Sequence, residues 1–140
     1  MLFPTILLSG IFLVLSGIHW YWLFGGEWGF EAALPCNKEG KRVLNPKKVD
    51  TMIVATALLY FAVFYSIQIE IVNLTLPYWL MIGSQWSIPS IFLLRAIGDF
   101  KYVGAFKRIK GTLFAEKDSK FFTPLCFLIG ILGFYLLINQ

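Results

Sequence analysis

The chain has 140 residues, 58% hydrophobic, 18% aromatic and only 14% charged. Soluble domains carry roughly 25% charged residues, so the composition excludes an ordinary soluble globular domain and leaves one integral membrane domain over residues 1–140. A net charge of +4 does not point to nucleic acid: every Lys and Arg lies in windows 25–50 and 95–120, flanking apolar stretches, where anionic lipid headgroups are the nearer partner.

In chain order, the first predicted element is a span over 2–24. It has no basic n-region and no small-residue cleavage site before the loop, so it reads as a retained helix rather than a signal peptide. Gly10 and Gly17, a heptad apart with Ser9 and Ser16 beside them, read as a packing seam. The second span covers 51–69, just after Asp50 as its N-cap. A short turn with Asn73 and Pro77 as breakers leads into the third span, 78–97. Pro89 lies inside that span, and a bend is expected there. The fourth span covers 121–138, with Gly130 and Gly133 at its packing face. The fold class is therefore all-α, a membrane-embedded bundle of four transmembrane helices.

The loops at 25–50 and 95–120 fall on the same side and carry five and seven basic residues, while the opposite side carries none. The positive-inside rule places both loops in the cytoplasm and both termini outside. The segment 100–110 interleaves Phe100, Tyr102 and Phe106 with Lys101, Lys107, Arg108 and Lys110. That pattern suits a stretch at headgroup level, rings inward and cations outward. The plainer alternative is a cytoplasmic helix-turn.

Polar groups at membrane depth are costly, so each one calls for a reason. His19, the only histidine, lies near the cytoplasmic end of the first span, and Arg95 and Asp99 straddle the end of the third. Four-residue spacing puts the latter two on one helical face if the helix runs on. His19, Arg95 and Asp99 are therefore expected to form one cluster, which Glu27 in the first loop is placed to join. Such a cluster fits an ion-pair network that fixes helix packing, with a ligand site as the alternative. Glu27 and Glu31, four residues apart, make a weak metal pattern with one His and no Cys spacing; no metal and no cofactor is expected. Ser84, Gln85 and Ser87 form a polar stripe in the third span, suited to a small cavity or to close helix approach. Cys36 and Cys126 lack C-x-x-C spacing, which argues against dithiol redox chemistry. Asn73-Leu74-Thr75 is a chance-level sequon close to the membrane. No nucleophile elbow, metalloprotease helix, phosphate-cradling loop or dinucleotide fingerprint is present.

The segments His19-Trp20-Tyr21-Trp22, Ala33-Leu34-Pro35, Gly111-Thr112-Leu113-Phe114-Ala115, Asp118 and Pro124-Leu125-Cys126 carry a resemblance, and the run from Arg95 to Gly104 carries it most strongly. Nearly the whole chain resembles a family of small four-span bacterial membrane proteins of unknown function. The Arg-x-x-Gly-Asp-Phe-x-Tyr-Val-Gly run is its most specific feature, and Ala105 stands where the family pattern leads one to expect an aromatic. The resemblance implies a bacterial cytoplasmic-membrane protein and implies no activity.

Three functional readings follow. The first is a non-enzymatic bundle binding a lipid-like molecule or a partner helix at the cytoplasmic leaflet. Its partners would be membrane lipids, with a homo-oligomer or another membrane protein as further candidates and no nucleic acid. The second is a membrane-embedded enzyme on a lipid or isoprenoid substrate, with His19 or Asp99 as acid or base and Arg95 holding an anionic headgroup. The third is a small transporter subunit using the stripe of the third span.

Overall fold

The computed structural model describes residues 1–139. Four long apolar helical segments account for most of the chain, each long enough to cross a bilayer: Leu2–Leu23, Lys48–Gln68, Tyr78–Ile97 and Leu113–Ile138. We label the helices α1 (Leu2–Leu23), α2 (Phe30–Ala33), α3 (Lys48–Gln68), α4 (Tyr78–Ile97), α5 (Leu113–Lys117) and α6 (Thr123–Ile138). The last two are joined without a break by a π-helical turn, Asp118–Phe122.

Two boundaries differ from expectation, both at the charged end. Asp50 is not the N-cap of the second span but its third helical residue. α3 starts at Lys48, and the Asp50 carboxylate reaches back to accept the Lys47 N–H at 2.8 Å, satisfying one of the helix's orphan donors. The fourth span does not start at 121; its helical run begins at Leu113, where the Thr112 hydroxyl accepts the Ala115 N–H at 3.1 Å. Charged residues 116–120 had masked the start, because a hydropathy pattern registers apolar turns and not helical ones.

α1 packs chiefly on α3, and α4 on α6. In the first pair Ser16 Oγ donates to the Ala55 carbonyl at 2.8 Å, and Ser9 Oγ to the Ala62 carbonyl at 3.0 Å. Small residues let the antiparallel backbones approach, and the hydroxyls bond across the gap. The seam is thus made by Ser9 and Ser16. Gly10 and Gly17, expected to share it, face outward, and a methyl group added to either would touch nothing. Gly17 instead lines an open groove of about 380 Å³ with Val14, Ile18, Tyr21 and Trp28. In the second pair Gly130 and Gly133 do form the packing face. A Cβ on Gly133 would lie 2.7 Å from Pro89 Cβ, and one on Gly130 2.5 Å from the Leu93 side chain.

The two pairs meet around Phe12, which is wholly buried. Its ring lies 5.4 Å from Phe61, 5.8 Å from Tyr65 and 5.2 Å from Phe92, so it ties α1 to both α3 and α4. Pro89 is buried in this interior, and α4 stays helical through it. Ser84 pairs with the Tyr60 hydroxyl of α3 at 2.5 Å. At the charged end α2 packs on α5, which fastens the first loop to the start of the last helix.

Candidate functional site

A dense network of polar side chains lies where α4 ends and the last helical run begins. Arg95 occupies the final turn of α4, where a cation meets the negative end of the helix dipole. Gly98 then ends the helix at φ 86°, and Gly104 follows at φ 90°. The two glycines sit backbone to backbone: a Cβ on Gly98 would overlap the Val103 carbonyl oxygen, and one on Gly104 would overlap that of Ile97. Glycine is required at both points, for φ and for space. The Ala105 N–H closes the loop onto the Ala96 carbonyl at 2.8 Å.

Asp99 organises the interior of this loop. Its Oδ1 accepts the N–H groups of Lys101, Tyr102 and Val103 at 3.0, 2.8 and 2.9 Å. Partial burial pushes its pKa up, but the three amide hydrogen bonds outweigh that and hold the carboxyl below its ordinary 3.8. With the amides turned inward, Phe100 is held at φ 60°, an uncommon backbone for a side chain of that size. Its exposed ring stands 6.2 Å from that of Phe106, also exposed.

Asp118 is the hub. Its side chain is completely buried. Oδ1 accepts Arg95 Nη2 at 2.7 Å; Oδ2 accepts the Gly104 N–H at 2.9 Å and Lys107 Nζ at 3.1 Å. Lys107, itself buried, also donates to the Gly104 carbonyl at 3.1 Å and to Ser119 Oγ at 2.7 Å. One carboxylate thus clamps the end of α4, the middle of the loop and the start of the fourth span. Buried charges persist only when paired and hydrogen-bonded in this way.

The expected cluster of His19, Arg95 and Asp99 is not what forms. Arg95 takes Asp118 as its partner and not Asp99, because Gly98 breaks the helix before the four-residue spacing can bring the two together. Asp99 is exposed and committed to loop amides. His19 stays within α1: its Nδ1–H donates to the Leu15 carbonyl at 2.7 Å, and its ring meets Trp22 edge-on. Glu27 is exposed and does not join. Glu31 pairs with Arg42 instead of forming a metal site, and no group of three metal-ligating side chains exists among the described residues. The polar stripe splits: Ser84 faces inward, Ser87 outward, and Gln85 lines a small interior space with Gln68, Tyr65 and Gly133.

Lys107 and Asp118 were missed as site residues. Asp118 lies 23 residues from Arg95 in sequence, so no local spacing links them. The available signal was Gly111-Thr112, a turn and N-cap pair, which starts a helix early enough to bring Asp118 into the bundle.

The fold and this membrane-edge ion cluster define a multi-pass α-helical membrane protein. Residues 12–133 match the model of the family described as "Protein of unknown function (DUF3995)", and the chain belongs to that family. No curated protein and no solved structure matches it.

Proposed function

We propose that the protein is a non-enzymatic component of a bacterial cell membrane that binds an anionic, lipid-like molecule at the cytoplasmic leaflet, with both termini outside. One observation carries this reading. Around the third loop, Lys101, Arg108, Lys110, Lys117 and Lys120 are exposed and bonded to no carboxylate among the described residues, and of the three acids there only the exposed Glu116 is left to offset them. Asp118 is buried against Arg95 and Lys107, and Asp99 serves loop amides. Exposed rings of Phe100, Phe106 and Phe121 accompany the free cations. Lys101 and Lys117 lie over Tyr102 and Phe121 at 5.0 and 5.4 Å. A basic residue near an anionic surface contributes about 1 kcal/mol, so this face supplies on the order of several kcal/mol.

The test is native mass spectrometry of the full chain, delipidated in mild detergent and titrated with phosphatidylglycerol or phosphatidylcholine. Anionic lipid should be retained preferentially, and the preference should shrink with added salt and in the variant Lys101→Gln/Arg108→Gln/Lys110→Gln. Equal retention of both lipids by the parent protein would refute the reading. In a background lacking Cys36 and Cys126, a membrane-impermeant maleimide should leave Lys110→Cys unlabelled in intact cells; labelling there would reverse the orientation.

A further inference from the structure

Two buried side-chain polar atoms among the described residues lack a hydrogen-bond partner within the protein: Arg95 Nη1 and Thr123 Oγ1. They belong to the same corner. Arg95 is tied through Nη2 to Asp118, and Thr123 follows Asp118 by one π-helical turn, its N–H bonding the Asp118 carbonyl. Cys126, one turn beyond Thr123, lies within electrostatic reach of both Arg95 and Asp118.

The π turn explains the free hydroxyl. In an α-helix a Thr commonly bonds back to the carbonyl four residues earlier. Here the backbone bonding has shifted to five, and such single π turns recur at functional sites. Thr123 is only 6% exposed, so water in bulk does not satisfy it. A buried hydroxyl without a partner is costly and calls for one.

Charge gives the identity of the missing partner. Two cations, Arg95 and Lys107, share one carboxylate, and no second carboxylate lies within ion-pair distance of either among the described residues. The cluster therefore carries one positive charge in excess around a fully buried carboxylate. Its unused groups are a guanidinium N–H and a hydroxyl, both able to donate. A site with surplus positive charge and two free donors selects an anionic oxygen. Guanidinium N–H groups are matched to phosphate oxygens in particular. The Arg95 side chain is 31% exposed while Nη1 itself is buried, so the two free donors lie just beneath the membrane edge.

We infer that Arg95 and Thr123 form an inner subsite for one phosphate oxygen, carried on a lipid headgroup or on free phosphate, with Asp118 positioning the guanidinium. This rests on the lipid-binding reading above and adds to it a single saturable position beneath the charged surface.

The experiment uses the full chain in mild detergent and the variants Thr123→Val, Arg95→Lys and the triple surface variant. Native mass spectrometry and thermal unfolding are read with phosphatidic acid, phosphatidylcholine and inorganic phosphate as probes. The parent protein should retain one phosphatidic acid at high salt. Thr123→Val is isosteric and removes an unpartnered hydroxyl, so without lipid it should melt no lower than the parent. Its affinity for that one lipid should fall about tenfold, the worth of a lost charge-assisted hydrogen bond. Arg95→Lys, which keeps a cation facing Asp118, should lose at least as much. The surface variant should shed the salt-sensitive lipids and keep the retained one. Competition by inorganic phosphate would identify free phosphate as a source; displacement by phosphatidic acid alone would identify the headgroup. Parent-like affinity in Thr123→Val would overturn the subsite and leave the surface reading standing. Loss of the retained lipid in the surface variant, with Thr123→Val unaffected, would do the same.

Discussion

Asp118→Asn removes one negative charge from the place where the loop, α4 and the last helical run converge. The amide is nearly isosteric, so packing changes little. Its oxygen can still accept either the Arg95 donor at 2.7 Å or the Gly104 and Lys107 donors at 2.9 and 3.1 Å, but its NH₂ group then faces a cation. Breaking a buried pair by removing one partner costs about 3–5 kcal/mol. The two cations do not share that loss equally. The Arg95 side chain is 31% exposed and water screens it, whereas that of Lys107 is 3% exposed and cannot rehydrate in place. The expected destabilisation is therefore at the lower end, about 3 kcal/mol, and most of it should trace to Lys107. Equilibrium unfolding in mixed detergent micelles, followed by tryptophan fluorescence, gives the free energy. The decisive comparison is a double-mutant cycle with Lys107→Met, which removes the stranded charge and keeps the stem. The double variant should regain more than half of the loss. A coupling energy below about 0.5 kcal/mol, the scatter expected of independent sites, would refute the assignment of Asp118 as the hub.

Gly98→Ala and Gly104→Ala should each cost well over about 1 kcal/mol in the same assay, because both need positive φ and both would overlap backbone. Gly111→Ala, at φ 83° with nothing near its Cβ, should cost only the backbone strain of about 1 kcal/mol. Asp99→Ala should expose the amides of Lys101, Tyr102 and Val103 to hydrogen exchange and cost about 1 kcal/mol, as lost capping does, whereas Asp99→Asn keeps an acceptor and should retain most of their protection. The Asp99 pKa is depressed in the folded chain, so its contribution is present above the ordinary 3.8 and is lost as the pH falls below that value through the folded pKa; protection of the three amides that is already gone at pH 5 would contradict the cap. Gly133→Leu should destabilise by about 1–3 kcal/mol through overpacking against Pro89, while Gly17→Leu, on the outward face, should be tolerated within about 0.5 kcal/mol. Phe100→Gly relieves a positive φ and should leave the loop as stable or up to about 1 kcal/mol more so, yet weaken retention of anionic lipid; unchanged retention would show that the ring does not contact lipid.

The four spans were legible because each contains a long run without basic residues, broken in the third only by Arg95 in its last turn, and α4 matched its expected limits at Tyr78 and Ile97. What hydropathy registers is the cost of burying charge, so it stops where charge begins. The run Leu113–Lys120 therefore went unseen as helix, although Thr112 caps it locally. The site failed to emerge for the same reason. Spacing arguments assume a helix that continues, and Gly98 ends α4 between Arg95 and Asp99. A glycine directly before an Asp, followed by another glycine at 104, is a turn signal, and it outweighed the helical spacing. Gly10 and Gly17 show the converse error. Small residues permit close approach on whichever face meets a neighbour, and the sequence alone did not distinguish the serines that do from the glycines that do not.

The buried triad and the exposed aromatics are parts of one construction. Arg95, Lys107 and Asp118 turn toward one another where α4, the loop and the last helical run meet, and Asp118 joins the three segments at a single carboxylate. The same inward turning leaves Lys101, Arg108 and Lys110 nothing inside to bond, so they face outward. Asp99 gathers the amides beneath them and fixes Phe100 in a backbone conformation that a mobile loop would not hold. A rigid platform loses less conformational entropy on meeting a surface than a flexible one. The strain at Phe100 is thus understandable as the local cost of presenting an aromatic ring in a set position. Because the platform is braced through Arg95, occupancy of the inner oxygen subsite would bear on the guanidinium that anchors it. Lipid binding outside and order inside would then be linked through Arg95 and Asp118.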